Sequence, residues 1–359
     1  MSDLTAGHPV ESIPLEVADA TPEWLTGVLE APVTAVEILD AHSGTTGRAR
    51  LGVTYEPSTA PGPASVFLKL APFDERQRRF VDTVGLGVAE ARFYRDVASE
   101  VPVRVPAVYH AAVGADHGYV MLLEDLEASA CRFPSTHDDD VADTIAAVVE
   151  GLARLHVRYW GSGRLDDGGD LSWVRDGYRV AFGSGATFVE KARDAFGDQM
   201  SPTFRRLAEL SIARPAEIAA LLADGPPTLI HGDPHLGNLF MDGTTAGFFD
   251  WGMVWRATGM RDVAYVLGNS TPTAVRRAHE RDWVRQYTDL LRASGFELSF
   301  DDAWTQYRLL VTYAWNSATS TAAMGSRWQT VEVGRGGMGR ATAAVEDLET
   351  VPLLEALLG

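Results

Sequence analysis

The sequence predicts an α+β protein of two lobes, a β-rich first third joined to a mainly helical remainder. Three observations predict it. Residues 33–70 alternate short apolar runs with turn-forming clusters, and 105–113 and 119–123 read as further strands. Past Leu126 long helical stripes dominate, beginning with residues 141–159. Short β runs around a glycine-rich segment at 229–251 then interrupt the helices before they resume to the C-terminus. The expected division is a β-rich lobe over 1–122, a hinge at 123–126 and a helical lobe over 127–359.

In chain order, Thr21 followed by Pro22 and Glu23 marks a helix start: a capping hydroxyl, a proline at the first helical position, then an acid. That helix is expected to reach about Leu29. Val36, Ile38 and Leu39 lead to Ser43-Gly44-Thr45-Thr46-Gly47, and a second run ends at Tyr55. The Pro, Gly and Ala residues of 57–63 form a turn before the short strand Val66-Phe67-Leu68-Lys69-Leu70. Residues 87–98 read as a helix, and 105–113 and 119–123 as two more strands. In 141–159, Ile145, Val148, Val149, Leu152, Leu155 and Tyr159 form one apolar stripe.

The chain has 359 residues, of which 46% are hydrophobic and 22% charged, material for a sizeable core. Lys plus Arg number 31 against 49 Asp plus Glu, a formal charge of −18. Such a surface repels nucleic acid and anionic lipid, so neither is expected as a partner. The single Cys131 rules out an internal disulfide and a thiolate zinc site within one chain. Residues 1–11 lack a basic stretch followed by an apolar run, and no segment has the length of a membrane span. A cytoplasmic protein is expected.

The most informative stretch is Ile230-His231-Gly232-Asp233-Pro234-His235-Leu236-Gly237-Asn238. Asp233 and Asn238 stand five positions apart across a loop. Leu239 to Trp251 reads as a hairpin that returns a second carboxylate, Asp250, toward Asn238. Phosphoryl transfer needs this set. One carboxylate orients or accepts the proton of the attacking hydroxyl, and two hard oxygen ligands hold magnesium on the phosphates. Asp233 suits the first role, Asn238 with Asp250 the second. An acid in a loop can also merely satisfy turn backbone, although three residues at this spacing exceed what a turn requires. A third reading uses His231, Asp233 and His235 as transition-metal ligands of a hydrolase. Pro234 and Gly237 argue against the regular strand that would align them.

The pattern His-Gly-Asp-x-His-x-x-Asn followed by Asp-Trp resembles the aminoglycoside phosphotransferase and choline kinase group. So does Gly259-Met260-Arg261-Asp262-Val263-Ala264-Tyr265-Val266-Leu267, and Tyr287 with residues 290–295 resembles its ecdysteroid kinase-like branch. The resemblance covers residues 35–320 in outline, with its specific motifs in 229–267. It implies a two-lobed protein kinase-like fold and a small-molecule kinase that uses ATP, or GTP, with Mg2+. The acceptor would be a hydroxyl of an aminoglycoside, amino alcohol, sugar or steroid-like alcohol. A nucleotide-binding pseudokinase with a regulatory role is the alternative of the same fold.

Upstream residues fit that expectation. Glu90, Phe93, Tyr94 and Val97 share one helical stripe, so Glu90 needs a cation on its buried face. Lys69 is the natural partner, and the two look like the kinase pair that sets a lysine on the α- and β-phosphates. Ser43, Gly44, Thr45 and Thr46 occupy the place of a phosphate-covering loop. Residues 119–126 resemble the interlobe hinge, with Glu124 and Leu126 as the backbone contacts for adenine. No Walker pattern is present. His156 reads as a core residue, which the resemblance makes a buttress behind the loop, and Asp262 as an N-cap or structural anchor. Arg76, Arg78 and Arg79 read as a solvated helix face. Trp304, Tyr307, Tyr313, Trp315 and Trp328 read mostly as core, one or two of them as walls of an acceptor site.

Overall fold

The computed structural model describes residues 13–58, 62–114, 118–175, 185–325 and 331–359. Trp328, residues 1–11 and part of the turn at 57–63 lie outside them. The chain divides into two compact units. One comprises the described residues of Met1–Glu100 with Val105–Cys131, the other Val101–Arg104 with those of Arg132–Gly359.

In the first unit Thr21 caps helix α1 (Pro22–Leu29), its hydroxyl accepting the Trp24 N–H at 3.2 Å with Pro22 in the first turn. Strands β1 (Val33–Ser43), β2 (Gly47–Tyr55) and β3 (Ser65–Leu70) follow as the apolar runs predict. Helices α2 (Glu75–Val84) and α3 (Leu86–Asp96) share the left-handed Gly85, and β4 (Val108–Val113) and β5 (Tyr119–Glu124) complete one antiparallel sheet. Its order is β1-β2-β3-β5-β4. Leu51, Val66, Leu68, Leu70, Val120 and Leu122 fill its core with Leu25 of α1. Helix α3 lies so close to β5 that a Cβ on Gly87 would fall 1.9 Å from the Tyr119 ring. The alternation of β3 sends Leu68 and Leu70 into that core and leaves Lys69 on the other face.

In the second unit α4 (Val141–Tyr159) has the predicted limits, and its stripe from Ile145 to Tyr159 is buried. Helices α5 (Gly185–Phe196), α6 (Pro202–Ala213) and α7 (Pro215–Leu222) lead to four short strands. Strand β6 (Pro227–Ile230) pairs antiparallel with β9 (Trp255–Thr258), and β7 (Leu239–Asp242) forms the expected hairpin with β8 (Thr245–Phe248). Arg104 and Arg132 extend that hairpin by single bridges to Gly247 and Met241. Helix α8 (Met260–Tyr265) continues into a π-helical turn, Val266–Ser270, closed by the Thr271 N–H on the Val266 carbonyl at 3.1 Å. Then follow α9 (Thr273–Ala293), α10 (Phe300–Met324), α11 (Val331–Asp347) and α12 (Thr350–Leu358).

Ion pairs join the last helices, with Arg276 and Glu280 buried. Arg276 pairs with Glu280 and Asp347, and the Tyr307 hydroxyl donates to Glu280 Oε2 at 2.7 Å. Buried charges are tolerated there because each has a partner and a further hydrogen bond. Trp315 is fully buried against Phe204, ring centres 5.0 Å apart, so it and Tyr307 are core as expected. No helix of the described residues is long and apolar enough to cross a membrane.

Candidate active site

In the first unit, Lys69 Nζ of β3 lies 2.6 Å from Glu90 Oε1 of α3, the two side chains 5% and 1% exposed. A carboxylate on an otherwise apolar stripe has found its cation, which offsets the desolvation of both. Residues Gly44, Thr45 and Thr46 form a tight turn between the paired Ser43 and Gly47, closed by the Gly44 N–H on the Thr46 carbonyl at 2.9 Å. Ser43 Oγ accepts the Phe73 N–H at 3.0 Å, tying the turn to the segment after β3, and Thr46 is buried.

Glu124 ends β5. Its side chain accepts the Ala107 N–H at 2.9 Å, and its own N–H donates to the Ala107 carbonyl at 2.8 Å. The Leu126 carbonyl accepts from the Cys131 N–H at 3.3 Å. Between them the buried Asp125 accepts from Ser65 Oγ at 2.7 Å and from Arg50 Nε and Nη2 at 3.1 and 3.0 Å. The sequence reading had not singled out this Arg50–Asp125 clamp, which ties β2 and β3 to the segment after β5.

In the second unit, β6 delivers the loop 231–238. Asp262 of α8 takes the His231 N–H on Oδ2 at 2.7 Å and the Gly232 N–H on Oδ1 at 2.9 Å. His156 Nε2 of α4 lies 3.3 Å from the same Oδ2, and its Nδ1 lies 3.0 Å from the Tyr287 hydroxyl. Asp262 is therefore a structural anchor, as expected, but not an N-cap: it is the third residue of α8, whose N-cap Gly259 makes no side-chain bond. Gly232, at φ 85°, passes so close to the chain at Met253 that a Cβ would fall 2.1 Å from that carbonyl oxygen. The Tyr313 hydroxyl donates to the Gly232 carbonyl at 3.0 Å, so this predicted aromatic borders the loop.

Asp233 and Asn238 are brought together. Asn238 Nδ2 donates to the Asp233 carbonyl at 3.0 Å and to Oδ2 at 3.2 Å. Both partners only accept, which fixes the amide orientation and turns the Asn238 side-chain oxygen away from Asp233. The Phe249 N–H donates to the Asn238 carbonyl at 3.0 Å, so the hairpin returns the chain beside Asn238 immediately before Asp250. Asp250 sits in the left-handed region at φ 63°, a conformation that aspartate tolerates better than most residues.

Although 28% of the Asp233 side chain is accessible, burial of the carboxyl pushes its pKa above the ordinary aspartate value. His235, the Tyr265 hydroxyl and His231 pull the other way, and the charge of Asp250 adds to the rise. Tyr265 of α8 donates to Asp233 Oδ1 at 2.5 Å; sequence reasoning gave this residue no role.

The ring nitrogens of His231 are both engaged. Nδ1 accepts the Asp233 N–H at 3.2 Å, so the proton rests on Nε2 and points to the Phe249 carbonyl at 3.0 Å. Burial keeps the ring neutral by lowering its pKa. His235 Nδ1 likewise accepts the Gly237 N–H at 3.0 Å. A His231–Asp233–His235 metal centre would have to break these bonds, and no group of three His, Cys, Asp or Glu among the described residues is placed to hold a metal ion. The loop thus offers a carboxylate of raised basicity with the Asn238 amide held on it, and the charge of Asp250 reaches that carboxylate, groups of the kind that orient a hydroxyl and hold a hard cation.

A family model described as the phosphotransferase enzyme family matches residues 54–310, more than half of the chain. Among curated proteins none matches the sequence. The structure is similar to the GDP complex of wild-type aminoglycoside 2'-phosphotransferase-IIIa, at 13% identity over 88% of this chain and 93% of that one, TM-score 0.52. It is also similar to choline kinase from Cryptosporidium parvum Iowa II, at 12% identity over 90% and 94%, TM-score 0.54. At these identities the likeness is one of fold, and it bears out the expected α+β, kinase-like architecture.

Proposed function

The chain belongs to the phosphotransferase enzyme family, and from that premise we propose that it transfers the γ-phosphoryl group of ATP to a hydroxyl of a small acceptor, with Mg2+. The observation that carries this reading is the Asp233–Asn238 contact. The amide nitrogen is spent on Asp233, so the amide oxygen is left for a cation beside Asp250. The donor set, one amide and one carboxylate oxygen, fits magnesium. A magnesium ion held there supplies positive charge to the phosphate oxygens.

Asp233 accepts a hydrogen bond from the acceptor hydroxyl and sets its lone pair toward phosphorus. Its raised pKa makes it the better base for that proton. Lys69, held by Glu90, binds the α- and β-phosphates. The backbone of residues 43–46 covers the phosphates, and backbone groups at Glu124 and Leu126 take the base. The hydrogen bond already made by the Glu124 N–H favours its carbonyl for that contact.

The acceptor is a small alcohol of the aminoglycoside, amino alcohol, sugar or steroid-like class. The test is a screen of such alcohols with Mg·ATP and Mg·GTP, read by mass spectrometry as a gain of one phosphate. Phosphorylation of one class supports the proposal. Failure to bind either nucleotide would remove it, whereas binding without turnover would favour a regulatory pseudokinase.

A further inference from the structure

We infer that Tyr265 is a positioning residue for Asp233, and that Ser317 of α10 sets the direction of its hydrogen bond. This rests on the reading of Asp233 as the carboxylate that orients the acceptor hydroxyl.

Tyr265 is the last residue of α8, one helical turn beyond Asp262, and is 2% exposed. Its hydroxyl lies 2.5 Å from Asp233 Oδ1 and 3.0 Å from Ser317 Oγ. Counting protons fixes the direction. An ionised carboxylate only accepts, so the single phenolic proton goes to Asp233, and Ser317 must donate its own to the phenol. The chain thus runs one way, Ser317 to Tyr265 to Asp233, and successive bonds of this kind polarise one another.

On its other oxygen Asp233 takes the Asn238 amide. The carboxyl is held by one donor on each oxygen, from two different elements, and cannot turn about its Cβ–Cγ bond without losing both. The Tyr265 ring is itself packed 5.5 Å from Tyr313, whose hydroxyl holds Gly232. The π-helical turn begins immediately after Tyr265, and Ser270 at its end accepts the Leu236 N–H on Oγ at 3.2 Å. One stretch of chain therefore holds the loop at three points, through Asp262, Tyr265 and Ser270.

Without the phenol, Asp233 keeps the Asn238 amide on Oδ2 and 28% of its side chain accessible. What Tyr265 adds is a fixed orientation, and orientation matters to a group that must meet a reacting hydroxyl.

The test uses the full chain with Tyr265→Phe, Ser317→Ala, the double variant and Asp233→Ala as reference. Mg·ATP binding is read by calorimetry and turnover as phosphate released to water. Tyr265→Phe should bind Mg·ATP within about twofold of wild type yet turn over about ten- to a hundredfold more slowly. Ser317→Ala should lose less, and the double variant should be no slower than Tyr265→Phe, because the serine acts through the phenol. Wild-type turnover in Tyr265→Phe, or losses that multiply in the double variant, would overturn the inference. Where wild-type turnover is too slow to time, crystal structures decide: a rotated Asp233 carboxyl in Tyr265→Phe supports it, an unmoved one overturns it. If Asp233→Ala keeps wild-type turnover, the role of Asp233 falls and the inference with it. If only Tyr265→Phe keeps it, the inference falls alone.

Discussion

Lys69 Nζ and Glu90 Oε1 meet at 2.6 Å with almost no access to solvent. The pairing offsets the desolvation of both charges. Removing one partner of such a pair costs about 3–5 kcal/mol, whereas replacing both with apolar residues of similar volume is often neutral or stabilising. Glu90→Ala is therefore expected to lower the urea midpoint markedly, and Lys69→Met with Glu90→Leu to restore most of it. The double variant should nevertheless fail to bind Mg·ATP in calorimetry. If it binds as wild type does, the pair is a structural staple only.

Asp233 and Asp250 should separate kinetically. Asp233→Ala is expected to reduce turnover by about 10²–10⁴-fold while the Mg·ATP dissociation constant barely moves. Asp250→Ala should lose metal-dependent nucleotide binding together with turnover. Titrations of nucleotide with and without magnesium on both variants check the contrast. Equal loss of nucleotide affinity in the two would remove the division of labour between them.

The loop itself depends on Asp262, which takes the N–H groups of His231 and Gly232. In Asp262→Ala two buried donors lose their acceptor, at about 1–3 kcal/mol each. Stability should fall by about 2–6 kcal/mol for the two together, and turnover with it. Asp262→Asn keeps one acceptor oxygen and should lie between. Chemical denaturation together with phosphate release measures both effects. A variant that loses stability but keeps turnover per folded molecule would show that the anchor serves folding alone.

What the sequence made legible follows from how local each signal is. Residues 141–159 could be delimited because a stripe of period 3.6 is a property of neighbouring residues. The Lys69–Glu90 contact was readable although 21 positions separate the two, because an acid on an apolar stripe demands a cation. The same argument was open for Asp262. Every residue of the short α8 is buried, so its carboxylate had to be satisfied by something other than water. The Tyr265–Asp233–Ser317 chain carried no such signal. Its members lie 32 and 52 positions apart, a tyrosine in an apolar helix reads as core, and no propensity announces the π-helical turn beside it. The Arg50–Asp125 clamp was missed for a related reason: arginines on a strand and acids after one look solvated until the sheet order places them together.

That clamp gives a pH dependence whose sign can be worked out. Burial alone would raise the Asp125 pKa, but the Ser65 hydroxyl and the Arg50 guanidinium outweigh it and hold the carboxyl below the ordinary aspartate value. In the unfolded chain it returns to about 3.9. A group depressed on folding contributes stability that is fully present above the unfolded value and is lost as pH falls through the folded one. Asp125→Asn removes that contribution. Thermal melts of wild type and Asp125→Asn should therefore differ by a constant amount near neutrality, and the gap should narrow below about pH 4. A gap that stays constant down to the acid limit of folding would mean that the carboxylate charge contributes nothing to holding β2 and β3 against the segment after β5.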